Sequence, residues 1–188
     1  MAVLIPTIQA PSEAVSFAEI ASKIRPRLAL YCGLDSSYVL PVANADYDIT
    51  IVEDFFLYFQ VFDIDAFGDN GAGRLNPWAT RRLRVYVYTR SGVDPYGEDE
   101  VALLGLDSDP AANEGIGHFA AEELVIGALY NWMPLNADNR ARTIEPFHPA
   151  TGSGPPLRKA ENGEGLLRSA LDFEIKYVLL IDKRDPPV

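Results

Sequence analysis

The stretch Leu166-Leu167-Arg168-Ser169-Ala170-Leu171-Asp172-Phe173-Glu174-Ile175-Lys176-Tyr177-Val178-Leu179-Leu180-Ile181 decides the fold of this chain. Leu167, Ser169, Leu171, Phe173, Ile175, Tyr177, Leu179 and Ile181 fall in one register; Arg168, Asp172, Glu174 and Lys176 fall in the other. A period of two sends successive side chains to opposite faces of a strand, one against a core and one toward water. After Lys176 both registers are apolar (Val178, Leu180), so the strand is expected to end inside a sheet or under a partner. Its length predicts a bulge or a bend.

Two further stretches are expected to pair with it. In Arg81–Arg90, Leu83, Val85, Val87 and Thr89 form one face and Arg82, Arg84, Tyr86, Tyr88 and Arg90 the other. In Ile51–Ile64, Phe56, Tyr58, Phe62 and Ile64 share one register and Phe55, Leu57, Phe59 and Val61 the other. Both faces of that strand are apolar, which suits a helix on one side and a second layer or a subunit on the other. A lone subunit exposing such a face would aggregate. Phe55, Leu57 and Phe59 are therefore the first expected oligomer interface. Tyr38–Val42 reads as a short edge strand, because Pro41 lacks a ladder donor.

Helical spacing appears twice. Phe17, Ile20, Ala21, Ile24, Leu28 and Tyr31 repeat behind Ser16-Phe17-Ala18-Glu19, which has the form of a capping box. Pro26 predicts a kink or a restart, and Cys32-Gly33 an end. From Gly115 to Met133, Ile116, Phe119, Ala120, Leu124, Ala128 and Trp132 repeat, and Pro134 closes the pattern. These elements predict a single α+β domain over residues 1–188, a mostly antiparallel sheet with helices packed on it and long projecting loops. The expected appendages are an N-terminal arm over 1–12, a projecting hairpin loop over 66–80, a flexible loop over 149–165 and a C-terminal tail over 182–188. Residues 91–114 read as a further loop, with Val101–Leu106 a short strand or turn inside it.

Chemistry-bearing motifs are sparse. Asp63, Asp65, Asp69 and Gly71 lack the order of a calcium loop, whose glycine stands sixth and glutamate twelfth. His118, Glu145 and His148 have no metal-ligand spacing. No serine lies in a nucleophile elbow, and Gly152-Ser153-Gly154-Pro155-Pro156 lacks the lysine of a phosphate loop. The expectation is a protein without catalysis, metal or cofactor. Cys32, the single cysteine, reads as a small buried hydrophobe. A formal net charge of -11 argues against a general nucleic-acid binder. Arg74, Arg81, Arg82, Arg84 and Arg90 form the one basic concentration, expected to pair with acids within the chain or across a subunit contact. Trp78 is expected either as an interface anchor or folded back onto the sheet. No run of 18 apolar residues is present, so no membrane span is expected.

The order of elements resembles the tail terminator (tail completion, head–tail connector) family of tailed bacteriophages. Phe17–Tyr31 is similar to that family's opening helix, Arg82–Arg90 to its Arg/Leu-rich central strand followed by the helix Gly115–Met133, and Leu171-Asp172-Phe173-Glu174-Ile175-Lys176-Tyr177 to its closing strand. The loops 91–114 and 149–165 depart from the family pattern. The resemblance implies a virion structural protein forming a ring, commonly hexameric, at the head-proximal end of the tail tube. Such a ring ends tube growth and joins the tube to neck proteins. Interface roles would then fall on Phe55, Leu57, Phe59, Arg74, Trp78, Arg82 and Arg84. Genomic DNA would pass an acidic lumen without specific binding, since like charges repel. The alternatives are another neck or tail tube component, or a non-viral soluble structural or binding protein.

Overall fold

The computed structural model describes residues 15–42, 54–68, 77–90, 116–150, 159–161 and 166–179. The expected arm, the loop 91–114, the tail, Arg74 and most of the loop 149–165 lie outside the described residues, as do Asp69, Gly71 and the end of the closing strand at Leu180–Ile181.

The fold is mixed α+β: two helices pack against one face of a largely antiparallel sheet. Helix α1 spans Phe17–Cys32 and helix α2 His118–Leu129. The strands are β1 (Val39–Pro41), β2 (Phe55–Gly68), β3 (Trp78–Arg90), β4 (His148–Pro149), β5 (Lys159–Glu161) and β6 (Leu166–Val178). Their spatial order is β1-β2-β3-β6-β4, with β5 also paired to β6. Only β1, at the edge, runs parallel to its neighbour.

The alternation of β6 is the framework. Leu167, Ser169, Leu171, Phe173, Ile175 and Tyr177 are buried, and the residues between Arg168 and Lys176 in the other register are half-buried. β3 pairs with it in unbroken antiparallel register from Trp78↔Val178 to Arg90↔Leu166. Side chains directly opposite one another share a face. Leu83, Val85 and Val87 therefore join Phe173, Leu171 and Ser169 beneath the helices, together with Leu57 and Phe59 from β2. The helices supply Ile20, Ile24, Leu28, Ala121, Val125, Ala128 and Leu129 to the same core.

The second face is also closed where the sheet is widest. Phe56, Tyr58, Tyr86, Tyr88 and Leu166 are buried there, with Tyr38, Leu40 and Val42 packed against them. Phe56 stacks on Tyr88 at 4.7 Å between ring centroids. This arrangement corrects the expectation for Phe55, Leu57 and Phe59: Leu57 and Phe59 are core residues under the helices and Phe55 packs beside them, so the chain covers this surface itself.

Three local features differ from the sequence pattern. Ser16 caps α1 without a side-chain hydrogen bond; the Glu19 amide donates to the Ser16 carbonyl, and the Glu19 side chain pairs with Arg142 at 2.8 Å. Pro26 does not interrupt α1; it lies on the exposed side, where the carbonyl it leaves without a donor reaches water. Gly33 ends the helix with φ 65°, a left-handed conformation that glycine adopts freely, and both Gly33 and Leu34 amides donate to the Ala29 carbonyl. Helix α2 stops earlier than its apolar spacing suggests. Tyr130 is already extended and Asn131 takes a positive φ of 58°, which asparagine tolerates better than most residues.

Both ends of the expected loop 66–80 are strand, and residues 69–76 lie outside the described residues. β2 continues to Gly68 and β3 begins at Trp78, so the connection between the paired ends is shorter than its composition suggests. Gly68 faces Trp78 across the pair, and a Cβ there would fall inside the indole ring. The absence of a side chain at Gly68 lets the ring lie on the backbone.

Candidate functional site

Two bulges build the feature that distinguishes this sheet. Val61 lies opposite Leu83, and Ile64 opposite Arg81, so β2 advances three residues while β3 advances two. A second extra residue follows, since Ala66 lies opposite Thr80. Each bulge reverses the facing of what comes after it. Ile64, which regular alternation would place beside Phe62 and Tyr58, is turned to the helix-side face. Phe67, opposite Ala79, comes to the same face. Neither helix covers this end: Asp63, Ile64, Asp65, Ala66 and Phe67 are all exposed, Ile64 at 38% and Phe67 at 60%.

The backbone at this end is open as well. β1 pairs with β2 only over Leu57–Phe59, and the Val42 amide adds one bond to the Phe59 carbonyl. From Val61 to Gly68 the outer edge of β2 has no ladder partner among the described residues. The opposite side of the sheet is guarded. Ile144, β4, Ala150 and β5 succeed one another along β6, with the Ile144 amide on the Lys176 carbonyl and the Ala150 amide on that of Asp172. Among the described residues the sheet therefore has one covered edge and one partly open edge, and the open one carries exposed apolar side chains.

A second exposed apolar surface lies on the helices. Leu30 at 77% and Tyr31 stand at the end of α1, and Ile126 and Tyr130 at the end of α2. Arg27 links the two helices there. Its Nε donates to the Ala128 carbonyl at 2.9 Å, and its guanidinium lies 3.8 Å from the Tyr31 ring centroid and 5.4 Å from that of Trp132. A guanidinium over a ring face is attracted by the ring's quadrupole. Helix α1 bears Lys23, Arg25 and Arg27 against a single acid, Glu19, in a chain that is otherwise strongly acidic.

Arg81, Arg82 and Arg84 of β3 are engaged within the chain. Arg84 makes a bidentate pair with Asp172, its partner across the register, at 2.6 and 2.7 Å. Those bonds raise the Arg84 pKa further above its ordinary value. Arg82 reaches Asp65 at 3.7 Å with both side chains well exposed, a weak contact. Arg81 donates to the Phe62 carbonyl and the Tyr177 hydroxyl. Trp78 is folded onto Gly68 and faces the Lys176 ammonium at 5.0 Å, so it is held as part of the sheet. Of the described residues expected at an interface, Arg82 adjoins the exposed end of β2 through Asp65, and Trp78 through Gly68.

One buried polar cluster went unforeseen. His118, at the start of α2, lies 2.6 Å through Nδ1 from Thr89 Oγ1 and 3.0 Å through Nε2 from Ser169 Oγ. Glu122, one helical turn on, is 3.7 Å from Nε2. Hydroxyls donate or accept, so either tautomer of the ring is satisfied. All four side chains are buried, which makes the cluster a pin between helix and sheet. Among the described residues no three His, Cys, Asp or Glu side chains gather as a metal site, and no helix is long and apolar enough to cross a membrane. Burial pushes the Cys32 thiol up to about 12. Comparison with protein-family models and with curated proteins finds no match to this chain.

Proposed function

We propose that this protein is a structural subunit that assembles with copies of itself into a ring, and that the ring is a virion component at the head-proximal end of a phage tail tube. The observation that carries assembly is the exposed end of β2, where two bulges bring Ile64 and Phe67 to one uncovered face beside an open strand edge. Exposed apolar side chains on an unpaired edge are an aggregation hazard unless a partner takes them. Bulges make the edge a poor template for indiscriminate strand pairing and leave it to a specific contact.

The place in a tail rests on the resemblance of the opening helix, the arginine strand and the closing strand to tail terminators. In that role the ring ends tube growth, meets neck proteins on its other face, and presents an acidic passage that DNA crosses without sticking. Its work is mechanical and needs no catalytic group or cofactor. Electron microscopy of the purified full chain tests the reading. Closed rings that cap tail tubes support it; dispersed single subunits that leave tubes uncapped overturn it.

A further inference from the structure

We infer that the two exposed apolar surfaces are the two halves of one contact between copies. The β2 end of one copy (Asp63, Ile64, Asp65, Phe67) docks on the outer side of α1 in the next copy (Lys23, Arg27, Leu30, Tyr31). This deepens the ring reading and rests on it.

Three observations select a second copy and this pairing. Each surface combines large exposed apolar side chains with an excess of one charge: Asp63 and Asp65 flank Ile64, with Arg82 of β3 3.7 Å from Asp65, whereas α1 bears three bases and one acid. Self-pairing of either surface about a twofold axis would set like charges together, Asp63 and Asp65 against their own copies or Lys23, Arg25 and Arg27 against theirs. Like-charge juxtaposition is a strong discriminator at interfaces. Pairing of unlike surfaces joins acids to bases and covers Phe67 and Leu30, the two most exposed large apolar residues described. The surfaces occupy different elements, an edge strand and the outer side of a helix. The contact is therefore head-to-tail, the type that closes into a ring when its rotation allows. Arg27 is already fixed by Ala128 and Tyr31, so its charge is held in place before docking.

Cross-linking tests the pairing. In a Cys32→Ala background, Phe67→Cys and Leu30→Cys are prepared as separate full-length chains, mixed, and oxidised in air. Both positions are exposed, and exposed substitutions leave folding intact. The expected product is a disulfide heterodimer of the two variants as the main linked species. A single chain carrying both substitutions should give a ladder of linked copies. Rings that form normally but yield no heterodimer, or a predominant Phe67→Cys homodimer, overturn this pairing while leaving the ring reading in place. A wild-type chain that stays monomeric overturns the ring reading and this inference together.

Discussion

The pair Arg84–Asp172 permits a quantitative test of how the two long strands are held in register. The residues lie opposite one another, and Nε and Nη2 of Arg84 donate to Oδ1 and Oδ2 of Asp172 at 2.6 and 2.7 Å. The Asp172 side chain is 8% exposed and that of Arg84 33%. Hydrogen bonds to charged groups contribute roughly 1.5–3 kcal/mol, whereas fully exposed ion pairs contribute about 0–1. A pair with one buried and one partly wet member falls between, giving a coupling of about 1–2 kcal/mol. The asymmetry of burial makes a second statement. Arg84→Met keeps the apolar stem but strands a buried carboxylate, at a cost of about 2–3 kcal/mol. Asp172→Ala leaves a guanidinium that can turn to water, at about 1–2 kcal/mol. The double variant should lose little more than Arg84→Met alone. Urea unfolding of the four proteins at pH 7 reads these values from midpoints at constant slope. Additive single losses would refute the coupling, and a costlier Asp172→Ala would refute the burial argument.

Two other predictions concern buried groups. His118→Ala removes a ring that satisfies Thr89 and Ser169 and leaves a polar cavity, so stability should fall by about 3 kcal/mol; His118→Gln should recover part of this, and a loss below about 1 kcal/mol in urea unfolding would show that the pin is not needed. Cys32 should resist thiol reagents in the native protein and react on unfolding, since it is buried and its pKa is raised to about 12 by burial. The unfolded thiol ionises near pH 8.5 while the folded one keeps its proton, so this group's contribution to stability should decline as pH rises from about 8.5 toward 12. Cys32→Ala should flatten that decline, and an unchanged slope would contradict it.

The sheet was legible because its strands obey simple periods. Leu167 through Tyr177 alternate without interruption, and Leu83 through Thr89 match them, so faces could be read directly. The edge position of Val39–Pro41 followed from the missing donor of Pro41. The end of β2 was not legible in the same way. Asp63, Ile64, Asp65 and Ala66 alternate as a regular strand would, and nothing in their composition announces two bulges. Sequence reading consequently placed Ile64 with Phe56 and Tyr58, and assigned the assembly surface to Phe55–Phe59, which the chain buries itself. Pairing among Arg84, Asp172, Arg82 and Asp65 depends on registers between distant strands, which charge pattern alone does not specify. His118, Thr89 and Ser169 are brought together by the same long-range register. Polar residues in otherwise apolar registers, Ser169 and Thr89, were the available signals for that cluster.

The central claim is that exposed surfaces on this subunit are completed by further copies. Light scattering coupled to size exclusion, on the full chain across a concentration series, tests it most directly. The subunit mass is 20.7 kDa. The proposed ring should appear as a single species of about six subunits, the copy number that the resemblance to tail terminators implies, that dissociates when Phe67 or Leu30 is replaced by aspartate. A monomer of unchanging mass at every concentration, in the presence of tail tubes as in their absence, would contradict it.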